Sequence, residues 1–222
     1  MMEIEGLSPA LPAFLAELAA NNERAWFADH KSEYADSVQA PLRNLVAALA
    51  PAMLDIDPGF DTNPKGAAVS RIHRDTRFSR DKSPYRINQW ICFKRAGEGW
   101  QGRPAFFLEI GPSGYRYGMG YYAAPPATMK AVRAAILACS APFAAAMEPA
   151  LAAGFALEGE PYSRPSLPEG EPQVVLDWVR RKSAYLVRNR LLEPLLFSPD
   201  LVEDLATRWR AVAPLYQYLG RV

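Results

Sequence analysis

A chain of 222 residues, 50% of them hydrophobic and 11% aromatic against 22% charged, can bury a substantial core, which excludes a disordered chain and a disulfide-stapled miniprotein. Its 25 Lys and Arg balance 24 Asp and Glu to a net +1, so no global field draws it to nucleic acid or to an anionic membrane, and any anion site is local. Two well-separated cysteines, Cys92 and Cys139, and the lack of a cationic stretch leading into an apolar run point to the cytoplasm; no uninterrupted apolar run reaches the roughly 18 residues that span a bilayer.

Apolar residues recur at helical spacing over 11–20 (Leu11, Phe14, Leu15, Leu18) and again over 23–31 (Trp26, Phe27), with Asn21 and Asn22 between them suited to a C-cap and an N-cap. This predicts a helical hairpin in which Trp26 and Phe27 staple the helices together. A longer amphipathic helix is expected over 34–54, bending at Pro41. Turn residues fill 55–66, and four strands follow, over 67–74, 86–95, 105–110 and 115–122, the last two joined by Gly111-Pro112-Ser113-Gly114. Their short connections imply an antiparallel meander.

Helices are expected from Pro125 to about 139, over 141–153 and over 173–182. Residues 158–172, rich in Pro and Gly, form a long surface loop; alternation over 185–189 suggests one more strand; and 200–219 reads as a terminal helix capped by Ser198. The fold class is therefore α+β, a single domain over 1–222. Its central, mostly antiparallel sheet (67–122) is flanked by an N-terminal helical hairpin (8–54) and C-terminal helices (125–222).

Positive charge is concentrated in one place. Between residues 71 and 86, Arg71, Arg74, Arg77, Arg80, Lys82 and Arg86 stand against Asp75 and Asp81, so this stretch carries +4 while the rest of the chain sums to −3. Guanidinium groups gathered on a strand end and its loop offer planar forks of donors suited to phosphate or carboxylate oxygens. Two aspartates can pair with two arginines but cannot neutralise six cations, and the remainder need water or a ligand.

These residues resemble the signature of the bacterial proteins grouped as domain of unknown function 2461: Arg-x-x-Arg-Asp-x-Arg-Phe, up to three variable positions, Asp or Asn, Lys, two variable positions and Tyr. Arg71, Arg74, Asp75, Arg77, Phe78, Asp81, Lys82 and Tyr85 fill those places. Asn21, Asn22, Arg24, Trp26 and Phe27 look like the family's opening helix pair, and Ser198-Pro199-Asp200 like the start of its C-terminal helix. Over 158–173 this chain lacks the more basic stretch and the His-Pro pair that the family would have there. The resemblance implies a functional locus and names no reaction and no cofactor.

The expected ligand-binding residues are Arg71, Arg74, Arg77 and Lys82, supported by Asp75, Phe78, Asp81 and Tyr85, and the candidates for proton transfer are Asp75, Lys82, Tyr85 and His73. Three readings stay open: a small anionic ligand bound by the motif, with or without turnover; a purely structural salt-bridge network; and a nucleotide or nucleic-acid module, against which the near-neutral total charge argues. Neither His30 with Asp29 nor His73 with Asp75 has zinc-ligand spacing, so no metal site is expected. Cys92, in a strand, reads as a small core residue. Gly118 and Gly120 would leave one sheet face bare as a pocket floor, with Trp90, Tyr115, Tyr117, Tyr121 and Tyr122 as aromatic candidates around it.

Overall fold

A computed structural model describes residues 6–97, 99–121, 124–164 and 167–222. Helices α1 (Ala10–Ala20) and α2 (Arg24–Asp29) form the expected hairpin. Phe14 packs on Trp26 and Tyr34 at 5.7 and 5.9 Å between ring centroids. Asn21 is the C-cap of α1, but Glu23, not Asn22, occupies the N-cap of α2, which frees the Asn22 side chain for a task described below. The long helix then runs as α3 (Lys31–Tyr34), a π-helical turn (Ala35–Gln39) and α4 (Ala40–Ile56). Pro41 has no N–H to donate four residues back, and the wide π turn just before it absorbs that missing bond.

Five strands form one sheet: β1 (Gln89–Phe93), β2 (Ala105–Ile110), β3 (Gly114–Gly120), β4 (Ala156–Glu158) and β5 (Tyr185–Leu191), in the order β1-β2-β3-β5-β4, every neighbour antiparallel. Ile91, Leu108 and Tyr117 lie side by side across β1, β2 and β3, all buried. The helices between are α5 (Pro126–Ala138), α6 (Ser140–Ala152) and α7 (Gln173–Val179), and the chain closes with α8 (Leu201–Leu219). The last of these crosses the buried sheet face, where Trp209 meets Phe93 and Phe106 edge-on at 5.8 and 5.9 Å, and α4 and α6 pack against it in turn. No single helix among the described residues is long and apolar enough to cross a membrane.

Several expectations are corrected. Residues 67–74 do not make a continuous strand. They touch the 84–92 segment at two isolated bridges, Val69 with Ile91 and His73 with Tyr85. Between those bridges four steps along one side face six along the other, so two extra residues bulge out, and the Ser70 hydroxyl rather than a carbonyl accepts the Trp90 N–H at 2.9 Å. The strand expected over 86–95 shortens accordingly to β1. Ser198 stands before α8 rather than at its N-cap, which is Asp200, and its hydroxyl accepts the Asp200 N–H at 3.1 Å. Strand β4, three residues long, was not foreseen.

Gly118 and Gly120 do not floor a pocket. A Cβ at Gly118 would stand 1.9 Å from the Leu186 carbonyl oxygen and one at Gly120 2.3 Å from the Tyr185 Cβ, so both glycines admit the neighbouring strand β5. Tyr115, Tyr117 and Tyr121 belong to the core, each 5% exposed or less. Tyr122 lies outside the described residues.

Candidate functional site

The motif folds as a loop closed at its neck by the His73–Tyr85 bridge, with the Arg74 N–H on the Pro84 carbonyl at 2.9 Å and the Arg86 N–H on the Ile72 carbonyl at 2.8 Å. Inside, each aspartate turns back onto the residue two positions on, the turn geometry that short acidic side chains favour. Asp75 accepts the Arg77 N–H at 3.2 Å and grips its guanidinium through Nε (2.9 Å) and a terminal nitrogen (2.7 Å). Asp81 accepts the Ser83 hydroxyl at 2.6 Å and the Ser83 N–H at 2.9 Å, and also pairs with Arg74. Lys82 Nζ donates to the Thr76 carbonyl at 2.9 Å. Hydrogen bonds from Arg77 hold the Asp75 carboxyl at about 2, and those from Ser83, then Arg74, push Asp81 lower still.

Asn22 fastens this loop to the helical hairpin: its carboxamide accepts the Tyr85 N–H and donates to the Tyr85 carbonyl, each at 3.0 Å. The Tyr85 ring stacks on Phe27 at 4.2 Å. Beneath, the fully buried Gln89 accepts the Ser70 hydroxyl at 3.0 Å and the Tyr34 hydroxyl at 3.5 Å, tying α3, residue 70 and β1 into one polar floor. Burial pushes the Tyr34 hydroxyl up to about 12, so it stays a neutral donor.

Against this floor lies an open groove of about 1340 Å³, walled on one side by α3 and α4 and on the other by residues 64–77. Lys31 and Arg43 come from the helix; Lys65, Arg71, Arg74 and Arg77 from the facing wall; Arg86 and Lys94 from the β1 side. Asp75 is the one carboxylate among the described residues that line the groove. Eight cations less one carboxylate give the lining +7, and with a chain total of +1 the rest of the molecule sums to −6. Among the described residues Arg74 pairs with Asp81 and Arg77 with Asp75, whereas Lys31, Arg43, Lys65 and Arg71 make no ion pair.

Arg86 stands between this groove and a smaller cleft of about 440 Å³ that is lined by Asn22, Asp81, Asn88 and Glu109 among others. Its guanidinium carbon lies 4.8 Å from the centre of the Trp90 ring, and its Nε is buried with no hydrogen-bond partner among the described residues. A buried donor without an acceptor in a basic groove is the position a ligand oxygen would fill.

The fold thus brings Arg71, His73, Arg74, Asp75 and Arg77 to the larger groove, while Asp81 and Tyr85 face the smaller cleft. Lys82 lines neither and braces the loop. Phe78, expected to support the site, is 95% exposed and lines neither cavity. Tyr85 is 5% exposed and stacked, a core side chain more than a proton donor. Asp75, held at about 2, is too weak a base to take a proton at neutral pH. His73 is exposed in the groove, edge-on to Phe27 at 6.3 Å.

Arg86, Asn22 and Gln89 were missed as site residues, although Gln89, a polar residue at a buried position of an alternating strand, carries a readable signal. Lys31, Arg43 and Lys65 belong to no motif and are united only by the fold. Burial pushes the Cys92 thiol up to about 11, which removes it as a nucleophile. Among the described residues no three His, Cys, Asp or Glu side chains gather to hold a metal ion.

A search among curated proteins finds no match for the chain. Over residues 10–218, a span that takes in both walls of the groove, the motif loop and nearly all of α8, the sequence matches the family described as "Conserved hypothetical protein (DUF2461)", and the chain belongs to that family.

Proposed function

We propose that this protein binds an anionic ligand bearing phosphate or carboxylate groups in the groove between α3–α4 and residues 64–77. One observation carries the reading: the lining holds eight cations against a single carboxylate, and Arg71 among them has no ion-pair partner among the described residues. Burying or crowding like charges costs free energy that an anion offsets, and guanidinium forks match its oxygens. Arg71 and Arg86 are the ligand-binding groups. Arg74 reaches the groove while it holds the loop through Asp81, and Arg77 completes the rim.

A second reading, in which the motif is only an internal ion-pair network, draws on the Arg74–Asp81 and Arg77–Asp75 pairs. It explains those four residues and leaves Arg71 and the helix cations without a role.

Thermal shift with phosphate, pyrophosphate, nucleotides, sugar phosphates and small carboxylates separates the two. A ligand at 100 times its dissociation constant adds about 2.7 kcal/mol, or about 5–10 °C for a chain of this size. An anion class that stabilises the wild type and not Arg71→Ala supports the groove as the site. If no anion shifts the wild type, the reading fails and the ion-pair network stands alone.

A further inference from the structure

Resting on that reading, we infer that the groove's ligand is a single strand of nucleic acid lying along α3 and α4. The near-neutral total charge, which argued against nucleic acid, conceals a lining of +7 set in a molecule that is otherwise −6. A strand of phosphates responds to the local rail and not to the sum.

The cations do not converge on one point. Lys31 and Arg43 lie twelve positions apart along one helical wall of the same groove, roughly 18 Å at 1.5 Å per residue. That is several times the reach of a single phosphate or carboxylate, and the groove exceeds the roughly 300–1,000 Å³ of most small-molecule sites. A ligand that meets both ends repeats its charge along its length.

Aromatic side chains favour bases over bare phosphates. Phe78 is 95% exposed at the tip of the motif loop, with the Arg77 guanidinium 5.8 Å from its ring centre. The ring stands outside the groove's lining and, apart from Arg77, is left to solvent. Inside the groove lie the exposed His73 and the half-buried Trp90, one face of which carries the Arg86 guanidinium. A basic groove interleaved with accessible rings is how proteins hold single strands, whose unpaired bases stack on them; a duplex keeps its base faces covered.

The test is fluorescence anisotropy of the full-length protein with labelled oligothymidylate and oligouridylate of about twelve nucleotides, titrated across salt. Inorganic polyphosphate, a matched duplex and pyrophosphate serve as competitors. The expected result is single-strand binding with a log–log salt slope of about −2 to −4, or −0.7 per phosphate contacted. Arg43→Ala should make that slope shallower by about 0.7, and Phe78→Ala should weaken the oligonucleotide about tenfold with polyphosphate affinity unchanged. Equal competition by polyphosphate with Phe78→Ala silent, or equal binding of the duplex, overturns the inference. So does an oligonucleotide that fails to bind while pyrophosphate or a nucleotide still stabilises the wild type, an outcome that leaves the anion site standing. If no anion of any kind binds, both readings fall.

Discussion

The carboxamide of Asn22 pairs with both main-chain groups of Tyr85, accepting its N–H and donating to its carbonyl at 3.0 Å each, across 63 residues of sequence. A side chain that imitates a strand neighbour in this way fixes the motif loop to the turn between α1 and α2. It also holds Tyr85 where its ring stacks on Phe27, so loop position and hairpin packing are set together. Asn22→Ala should therefore destabilise the protein by about 2 kcal/mol, the cost of leaving two partly buried backbone groups unpaired, which lowers the melting temperature by about 4–8 °C. Asn22→Asp keeps the acceptor but sets a carboxylate against the Tyr85 carbonyl, and it should do no better. Hydrogen exchange supplies the second readout. If the Tyr85 amide keeps its protection in Asn22→Ala, the pairing does not anchor the loop.

Asp75 and Arg77 make a three-bond grip with both side chains largely in solvent. Because the Asp75 value is lowered when folded, its contribution is fully present above the ordinary carboxylate range and is lost only as pH falls toward about 2. Carboxyl-carbon NMR should find Asp75 titrating near 2 in the wild type and higher in Arg77→Ala, though still below the ordinary value of about 3.9, because the main-chain N–H of residue 77 stays. The melting temperature at neutral pH should fall only slightly, since solvent screens exposed pairs. A large fall in melting temperature would mean that this pair holds the fold rather than the loop.

The sheet was readable in proportion to how regular it is. Gly111 to Gly114 between two strand-like runs gave the β2–β3 hairpin, because turn chemistry and strand propensity agree there. Residues 67–74 alternate, with Ala68 and Ile72 buried. Alternation reports that one face is covered, however, and not that the ladder is continuous; the two-residue bulge opposite Ser70 leaves the first intact and breaks the second. Strand β4 is three residues with no buried side chain, so it leaves no pattern to read. The site divides in the same way. The loop's cations share sixteen residues and announce themselves, whereas Lys31, Arg43 and Lys65 reach the groove only because the long helix lies opposite residues 64–77.

Gly118 looked like room for a ligand and proves to be room for a strand. The Cβ that alanine would add stands 1.9 Å from the Leu186 carbonyl oxygen, a backbone atom of the paired strand β5 that cannot swing aside. Gly118→Ala should cost more than the about 1–3 kcal/mol typical of overpacking and yield little folded protein. Gly97, whose added Cβ meets nothing within 4 Å, is an internal comparison, although its φ of +105° carries its own strain. Expression and thermal melts of both variants decide it: a Gly118→Ala protein that melts with the wild type would show that β5 can withdraw, and that the face is open to a ligand after all.

Asp57, 3% exposed at the C-cap of α4, joins three parts of the chain. It accepts Arg95 Nε at 2.6 Å and a second Arg95 nitrogen at 3.0 Å, the Gly59 N–H at 2.9 Å, and the hydroxyl of Tyr216 from α8. Burial alone would raise its carboxyl, but the hydrogen bonds from Arg95, Tyr216 and Gly59 outweigh it and hold the group below the ordinary value. Lowered in the folded state, Asp57 lends stability that is complete above the unfolded carboxylate range and shrinks as pH falls through the folded value. Asp57→Ala leaves the Tyr216 hydroxyl and the Gly59 N–H without their acceptor and should cost about 2–3 kcal/mol at neutral pH, about 5–10 °C. Asp57→Asn keeps one acceptor oxygen, enough for either the Gly59 N–H or the Tyr216 hydroxyl since these bond different oxygens; it gives up the charge toward the half-exposed Arg95 and should lose less than Asp57→Ala. The gap between wild type and Asp57→Asn should narrow as pH drops, because only the wild type has a carboxylate to neutralise. A gap that stays constant down to the acid transition would mean that Asp57 acts through its hydrogen bonds alone and that its charge adds nothing to the union of α4 with α8.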